Sequence, residues 1–489
     1  MNSGAERSLA SLIGAILPGE ARAGAVSIEE ARLTFNPEAH PKKPADYVLV
    51  WMQKAQRSRE NPALDLGFHL ANTLGLPLLV LFILDDYPGA TSIHYRFMLE
   101  GLRECANDLR QRGAIFRVDT GVMASKVAEY ARGAALIVAD EGKLAFERAW
   151  RKEIAAMRGM PPMILVETES VVPSFAASDH LEWSAATLRK KISAKLPFFL
   201  KSAELGEGFP VPECRVSVRA SDFPSRDELF ASHEGAAGDP LLALQKLRFA
   251  PGRLAGMARF GEFLSSGALE RYAEDRNDPC RAGQSDMSPY LHFGQVSPVA
   301  LAGAALRASE SAAQAYIEQL VVRRELALNF VLFNPGYDRY ESAAPEWAKK
   351  SLSERDDRRT LYGAAELEAG LTADPYWNAA QKEMLLTGKM HNYMRMYWGK
   401  RLLSWFADPA EAFNLAIRFN DRYSLDGRDP NGYAGVAWCF GRHDRPWPQQ
   451  PLFGNVRSMA ASGLRKKFDA ERYASEVEDL YTTRRKEIS

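Results

Sequence analysis

The sequence predicts an N-terminal α/β domain with a Rossmann-like, doubly wound parallel sheet, followed by an all-α C-terminal domain. Three observations carry this. Between about Asp46 and Val172, short aliphatic runs alternate with helical stretches. Those runs lack the strict apolar–polar alternation of a sheet wetted on one side, so both faces are expected to be covered. From Pro240 onward the apolar spacing is helical almost throughout. A length of 489 residues is ample for two or three domains with sizeable cores.

Taken in order, the first element is the apolar run 9–17 (LASLIGAIL). Only Arg7 precedes it with positive charge, and Glu6 adjoins, a poor start for a secretory leader. It reads as a short helix in an N-terminal extension, residues 1–45. Strands are expected at 47–52 (YVLVWM), 78–84 (LLVLFIL), 115–118, 135–139 and 163–166, where β-branched and aliphatic residues concentrate. Helices are expected between them at 62–74, 93–112 and 125–132, and the whole unit spans 46–205. No G-x-G-x-x-G follows the first strand, so the sheet lacks the dinucleotide fingerprint. Residues 206–240 are rich in Pro, Gly, Ser and charge without a sustained period and read as a linker. The helical domain then covers 241–489, with helices at 300–306, 314–332, 377–406, 410–422 and 471–485. Loops are marked by Asn334-Pro335-Gly336, Asp408-Pro409, 426–432 and 446–451.

Composition narrows the function classes. The chain is 46% hydrophobic and 25% charged, as in soluble globular proteins, and no stretch is long and apolar enough to span a membrane. Lys+Arg and Asp+Glu both number 62, so any nucleic-acid contact must rest on local charge. The four cysteines are far apart and form no C-x-x-C pair, which argues against zinc or a disulfide framework and fits a reduced, cytosolic protein. No metal is expected.

Five clusters carry candidate chemistry. Ser285-Asp286-Met287-Ser288-Pro289, shortly after Arg276-Asn277-Asp278-Pro279, sets small hydroxyl residues before a Pro-started helix, which suits a phosphate or pyrophosphate. An ordinary N-cap is the simpler reading of that cluster alone. Residues 314–332 hold Glu318, Arg323, Arg324, Glu325 and Asn329 among aliphatics: a solvated face, or a buried carboxylate that bonds a polar ligand. Trp377, Trp398 and Trp405 fall in one helical stretch. They are core material or a ladder for electrons, and the seven-residue spacing of Trp398 and Trp405 puts those two near one face about 10 Å apart in rise. Residues 420–438 crowd carboxylates, amides and glycines into a loop that ends in Val436-Ala437-Trp438, as a loop entering a cavity would. Arg442, Arg445, Arg457, Arg465, Lys466 and Lys467 follow, interleaved with His443, Trp447 and Phe453, a mixture suited to nucleic-acid backbone and a stacking wedge.

Taken together these residues resemble the class II cyclobutane pyrimidine dimer photolyases over about Tyr47 to Tyr473. The segments that carry the resemblance are Trp51-Met52-Gln53, Asp85-Asp86-Tyr87-Pro88, 94–102 (HYRFMLEGL), 288–294, and above all 388–398 (GKMHNYMRMYW) and 420–435. The resemblance implies FAD among the C-terminal helices, which agrees with the missing fingerprint on the sheet. It assigns Tyr272, Ser285, Met287 and Ser288 to the phosphate and ribitol, with Gln284 standing where relatives often have a hydroxyl residue. Arg324 is assigned near the flavin, and Asp426, Asp429 and Asn431 to the isoalloxazine and adenine, with Arg395 paired to Asp426. Asn420 would face flavin N5.

The same resemblance implies light-driven repair of UV-damaged DNA by reduced FAD, with the dimer flipped out of the duplex. Glu318 would hydrogen-bond the damaged base, while Met396 and Trp438 form apolar walls. Val321 and Val322 occupy the region of a second wall. Arg276, Arg445 and Arg457 would contact DNA. Trp398 would lie nearest the flavin, Trp377 between, and Trp405 at the exposed end of the electron path. A deazaflavin or folate antenna would dock on the α/β domain near Asp85-Asp86-Tyr87, and a monomer is expected. A cryptochrome-type receptor is the main competing reading, disfavoured by the short tail after the last helix and by the retained Glu318 and Trp438. A flavin oxidoreductase with a nicotinamide partner is disfavoured by the missing dinucleotide site. The absence of a His pair beside Glu318 disfavours (6-4) photoproducts.

Overall fold

The computed structural model describes residues 8–14, 28–204, 213–216, 240–355 and 360–488. Its N-terminal part is built on a six-stranded sheet of β1 (Leu33–Thr34), β2 (Tyr47–Trp51), β3 (Leu78–Leu84), β4 (Ile115–Thr120), β5 (Ala134–Asp140) and β6 (Met163–Val166), in the order β1-β6-β5-β2-β3-β4. The five strands from β2 to β6 pair in parallel, as the aliphatic runs imply. β1 is a departure: it pairs antiparallel with β6, Leu33 opposite Val166. A two-residue strand has no period of its own, so only its partner makes it a strand. The expected helix at 9–17 is present as Leu9–Gly14. Its remainder, and most of the 206–240 linker, lie outside the described residues.

Alternate residues of the central strands feed two different cores. Leu49, Trp51, Leu79, Leu81 and Ile83 pack with Met123, Val127 and Ile154. Val48, Val50, Val80, Phe82 and Leu84 face the other way, into a core shared with the helical part through Phe260, Tyr290 and Leu301. The helices α1 (Pro62–Leu74), α2 (Ser92–Gln111), α3 (Met123–Ala131) and α4 (Ala145–Ala156) cover the sheet, and α5 (Ala185–Glu204) leads away from it. The burial of all seven β3 residues explains why its sequence does not alternate.

The chain runs β2, β3, β4 in one direction and then places β5 on the other side of β2, which makes the β2–β5 gap a topological switch point. Sheets that hold dinucleotides present free backbone N–H groups there. In this chain a carboxylate of its own fills the turn. Asp140 Oδ2, at the end of β5, accepts from the backbone N–H of Gln53 at 2.9 Å, Lys54 at 2.6 Å and Ala55 at 2.8 Å, and Arg151 balances its other oxygen at 3.1 Å. That is the structural counterpart of the missing glycine fingerprint.

The helical part contains α6 (Glu310–Ile317), α7 (Arg324–Phe333), α8 (Pro375–Thr387), α9 (Asn392–Trp405), α10 (Pro409–Tyr423), α11 (Pro430–Cys439) and α12 (Ala470–Ile488), with shorter helices between. Two expected long helices are divided. The stretch 314–332 is broken by a π-helical segment, Glu318–Arg323. The stretch 377–406 turns back at Gly388, whose φ of 71° ends α8 in a left-handed cap. A second core, around Trp377, Trp398, Phe413 and Phe419, fills the inside of these helices. The two parts touch at Gly294. Its φ is 63°, and an added Cβ would sit 1.7 Å from the carbonyl oxygen of Lys54. Arg57 closes the same seam by donating to the Gly294 carbonyl at 2.9 Å.

Candidate active site

A cavity of about 370 Å³ opens on the helical part, lined by Arg276, Asn277, Tyr393, Met396, Trp438, Arg457 and Lys467 among others. α9 supplies Tyr393 and Met396, and α11 supplies Trp438. Both helices start from strong caps: His391 Nδ1 accepts from the Tyr393 N–H at 3.3 Å, and Asp429 accepts from the Asn431 N–H at 2.9 Å with Pro430 next to the cap. They approach closely because residue 399 is glycine; a Cβ there would lie 2.7 Å from Cys439 Sγ. Cations crown the aromatic rim. Lys467 Nζ lies 4.4 Å from the Tyr393 ring centroid, and Arg457 lies 4.9 Å from that of Trp447. Met396, Trp438, Arg276 and Arg457, four residues singled out from widely separated positions, therefore meet in one site. Arg445 does not line the cavity, but its guanidinium lies 5.7 Å from the same Trp447 ring.

Three indoles of the helical part form a continuous row. Trp377 and Trp398 lie nearly parallel, 6° between planes and 6.3 Å between centroids, and Trp377 meets Trp405 edge-on at 5.1 Å. Trp377 is the middle member, brought between the other two by the turn at Gly388. Its Nε1–H donates to the Trp398 carbonyl at 3.0 Å, and Trp398 Nε1–H donates to Gln381 Oε1 at 2.9 Å. Asp374 locks α8 to α9 by accepting from the Trp377 N–H at 3.1 Å, the Tyr397 hydroxyl at 2.5 Å and Arg401 at 2.9 Å. One expectation is corrected. Trp405 is not an exposed terminus: it is 3% exposed, covered by the Tyr362 ring at 5.0 Å and by Arg401.

The family model for DNA photolyase matches residues 48–190. A deoxyribodipyrimidine photo-lyase of Methanothermobacter thermautotrophicus is 42% identical over 451 residues, 90% of this chain and 96% of that protein. The chain belongs to the DNA photolyase family. Another deoxyribodipyrimidine photo-lyase, from Arabidopsis thaliana, is 36% identical over 90% of each chain. Among solved structures, an archaeal photolyase from Sulfolobus tokodaii with two FAD molecules aligns with a TM-score of 0.64, covering 89% of this chain and 93% of its own at 16% identity, a likeness of fold.

The family implies FAD, and several buried polar groups of the helical part fit such a ligand. Arg395 pairs with Asp426 at 3.2 Å, yet its Nε is buried without a partner among the described residues, as is Ser424 Oγ. Asn420 is buried, and a Cβ on Gly432 would fall 2.7 Å from its amide nitrogen, so α10 and α11 press together around that group. Asp429 accepts from His292 at 3.1 Å and from both the backbone and side-chain nitrogens of Asn431. Burial alone would raise its carboxyl, but His292 and Lys54 hold it well below the usual range.

Tyr272 and Met287 are buried, Ser285 bonds the Tyr316 hydroxyl, and Ser288 is exposed at the start of its helix. Between these serines, Asp286 gathers three cations: Arg259 at 2.5 Å, Arg248 at 3.7 Å and Lys389. Three positive charges on one carboxylate leave a surplus suited to a diphosphate. Arg248 and Arg259 escaped the sequence reading, for they follow no motif and reach Asp286 only in the folded chain.

This photolyase does not place Glu318 where the sequence suggests. Its carboxylate is held outside the cavity by Arg189 of α5, with Nε and Nη2 at 2.9 and 2.7 Å, and by Arg323 at 3.0 Å. Burial pushes its acidity one way, but the two arginines outweigh it and keep the carboxyl below its ordinary value. Glu318 opens the π-helical segment Glu318–Arg323. Val321 and Val322 are buried in the core shared with the α/β part rather than in a cavity wall. Arg324 is buried and donates to the backbone carbonyl of Glu169, and Glu325 accepts from the N–H groups of Val171 at 2.7 Å and Val172 at 3.1 Å. Burial lifts Glu325 to about 8. The charges on this helix thus bind the α/β part to the helical part.

A second cavity, of about 340 Å³, lies at the carboxyl ends of β2 and β3. Gln53, Lys54, Tyr87, Tyr95 and Phe146 line it from the α/β side, and His292, Tyr337, Arg428 and Tyr433 from the helical side. Of Asp85-Asp86-Tyr87 only Tyr87 reaches it. Asp85 instead accepts from the Met123 N–H at 2.9 Å. Lys54 is buried between Glu147 at 3.1 Å and Glu169 at 3.7 Å.

Proposed function

We propose that this photolyase-family chain repairs cyclobutane pyrimidine dimers in DNA under light, and that it is of the class II type its 388–398 and 420–435 stretches resemble. The observation that carries the reading is the juxtaposition on α9: Met396 opens onto a basic-rimmed cavity, and Trp398, two residues on, begins the buried indole row. A dimer flipped from the duplex presents two pyrimidines with apolar faces, next to charged phosphates. Met396 and Trp438 would hold the rings, and Arg276, Arg457 and Lys467 the backbone, with Arg445 alongside. A cavity of about 370 Å³ is of the size small-ligand sites have, about 300–1,000 Å³.

Tyr272, Ser285, Met287, Ser288, Arg324, Arg395, Asp426, Asp429 and Asn431 are the residues proposed to hold FAD, with Asn420 beside its ring system. Bound reduced FAD would supply one electron to the dimer under blue or near-UV light and take it back once the ring has opened, with no net redox change. The chain's own task is then to exclude water, hold the dimer and keep the buried Asn420 amide, a neutral donor, in place. The Trp398, Trp377 and Trp405 row is proposed to carry electrons inward when the cofactor must be reduced. The second cavity, at the switch-point side of the sheet, is proposed for an antenna chromophore, deazaflavin or folate. The protein is proposed to act as a monomer, wherever the cell keeps its DNA. No helix among the described residues is long and apolar enough to cross a membrane.

The test is dimer loss from a UV-irradiated oligonucleotide mixed with FAD-loaded protein, in blue light and in the dark. Loss in light alone is the expected result. Equal loss in the dark refutes the reading, and a light-induced spectral change without dimer loss points to a receptor of the cryptochrome type.

A further inference from the structure

Three lysines of this chain are buried in ways that invite comparison. Lys143 sits between Glu141 and Glu167, both at 2.9 Å, and Lys54 sits between two glutamates. Lys400 is as buried as Lys143, 0% exposed, yet no carboxylate among the described residues lies within ion-pair distance of it. Its Nζ donates to the carbonyl of Cys439 at 2.7 Å and lies 5.2 Å from the ring centroid of Trp438. An ammonium with no ion-pair partner is costly to bury, so its retention calls for a reason. One reason is local: Cys439 is the last residue of α11, and a cation there meets the negative end of the helix dipole. Geometry supplies another. Trp438 lines the cavity, so its indole joins the buried ammonium to the cavity wall.

We infer that Lys400 is a positioning residue for dimer opening: its ammonium pins Trp438 in the cavity wall and supplies positive potential there while the dimer carries an extra electron. The inference rests on the repair reading above. In that reaction the dimer gains one electron, its two inter-base C–C bonds break to leave two pyrimidines, and the electron then returns to the cofactor. Lys400 gives up neither proton nor electron; it acts through charge and through the cation–π contact with the indole. The groups that face it are the Cys439 thiol, the Asp444 carboxylate and the Arg457 guanidinium. Burial lowers the ammonium to about 8, so it is charged at neutral pH and loses its charge in mild alkali.

The experiment compares the wild-type holoenzyme with K400M, which keeps the length and removes the charge, and with K400R, which keeps the charge. With cofactor reduced beforehand, the yield of repair per bound dimer should fall about fivefold in K400M, the order of one cation–π contact, and recover in K400R. The wild-type yield should drop as pH rises through about 8, and the K400M yield should not. A readout independent of activity uses fluorotryptophan-labelled protein. The fluorine resonance of Trp438, identified by its loss in W438F, should titrate near the same pH in wild type and stay fixed in K400M.

Equal yields in K400M and wild type, with a Trp438 resonance that does not titrate, overturn the inference. A wild-type chain that opens no dimer in light refutes the repair reading itself, a different outcome because no variant is then needed to see it. Should K400M fail to fold, the pH series on wild type and K400R decides, since a flat wild-type profile overturns the proposal unaided.

Discussion

Replacing Glu318 by glutamine separates two pictures of this enzyme. A residue that bonds the damaged base would take most of the repair yield with it. The structure instead ties Glu318 to Arg189 and Arg323, with side chains 23%, 43% and 51% exposed. Ion pairs in such wet surroundings contribute about 0.2–1 kcal/mol each, and the two-pronged Arg189 contact belongs at the upper end. The expected loss for E318Q is therefore about 1 kcal/mol, a fall in melting temperature of about 2–4 °C or less in a chain of this size. Repair yield and FAD content should be unchanged. The sign of the pH dependence follows from the depressed carboxyl: its contribution is present above the ordinary glutamate pKa of about 4.3 and disappears as pH falls through the lower folded value. The melting difference between wild type and E318Q should therefore close in acid. A double-mutant cycle with R189Q should return a coupling energy for the pair. The reasoning fails if E318Q melts like wild type and binds FAD but loses most of its repair yield, because the carboxylate would then be working on substrate.

Three further outcomes are expected. Arg457→Ala should weaken binding to dimer-containing DNA and reduce the log–log salt slope by about one, the share of a single phosphate contact; an unchanged slope would put this arginine outside the DNA footprint. Trp377→Phe, which breaks the bond to the Trp398 carbonyl and the middle of the row, should abolish photoreduction of oxidised FAD while sparing repair by enzyme already reduced. Normal photoreduction kinetics in that variant would make the indoles core packing. Gly294→Ala should cost more than about 3 kcal/mol, since it combines a left-handed φ with a clash on backbone at 1.7 Å. A denaturant midpoint equal to wild type would show that the seam at Lys54 yields without cost.

Much of this protein is legible along the chain because the physics involved is local. The run 78–84 had to be a strand buried on both faces, for seven consecutive apolar residues leave no side for water. The left-handed cap at Gly388 and the Asp429-Pro430 start of α11 rest on equally local backbone chemistry, although the apolar spacing alone runs 377–406 together and leaves 426–432 as a loop. Met396, Trp438, Arg276 and Arg457 could be named because their segments resemble a known family, and the fold brings them to one cavity.

Tertiary structure decided what depends on partners distant in sequence. β1 is a strand only because Val166 and Leu165 offer it an edge. Trp405 is covered because Tyr362 folds back over it. Glu318 is paired with Arg189, 129 residues earlier, a partner that only the fold brings to it. Lys400 carries no signal in the sequence, and its contact with the end of α11 appears only in the folded chain. Periodicity and capping are encoded within a turn or two of chain, so a sequence states them directly. Which charge meets which, and what a cavity wall contains, depend on the crossing of whole helices, and only packing settles that.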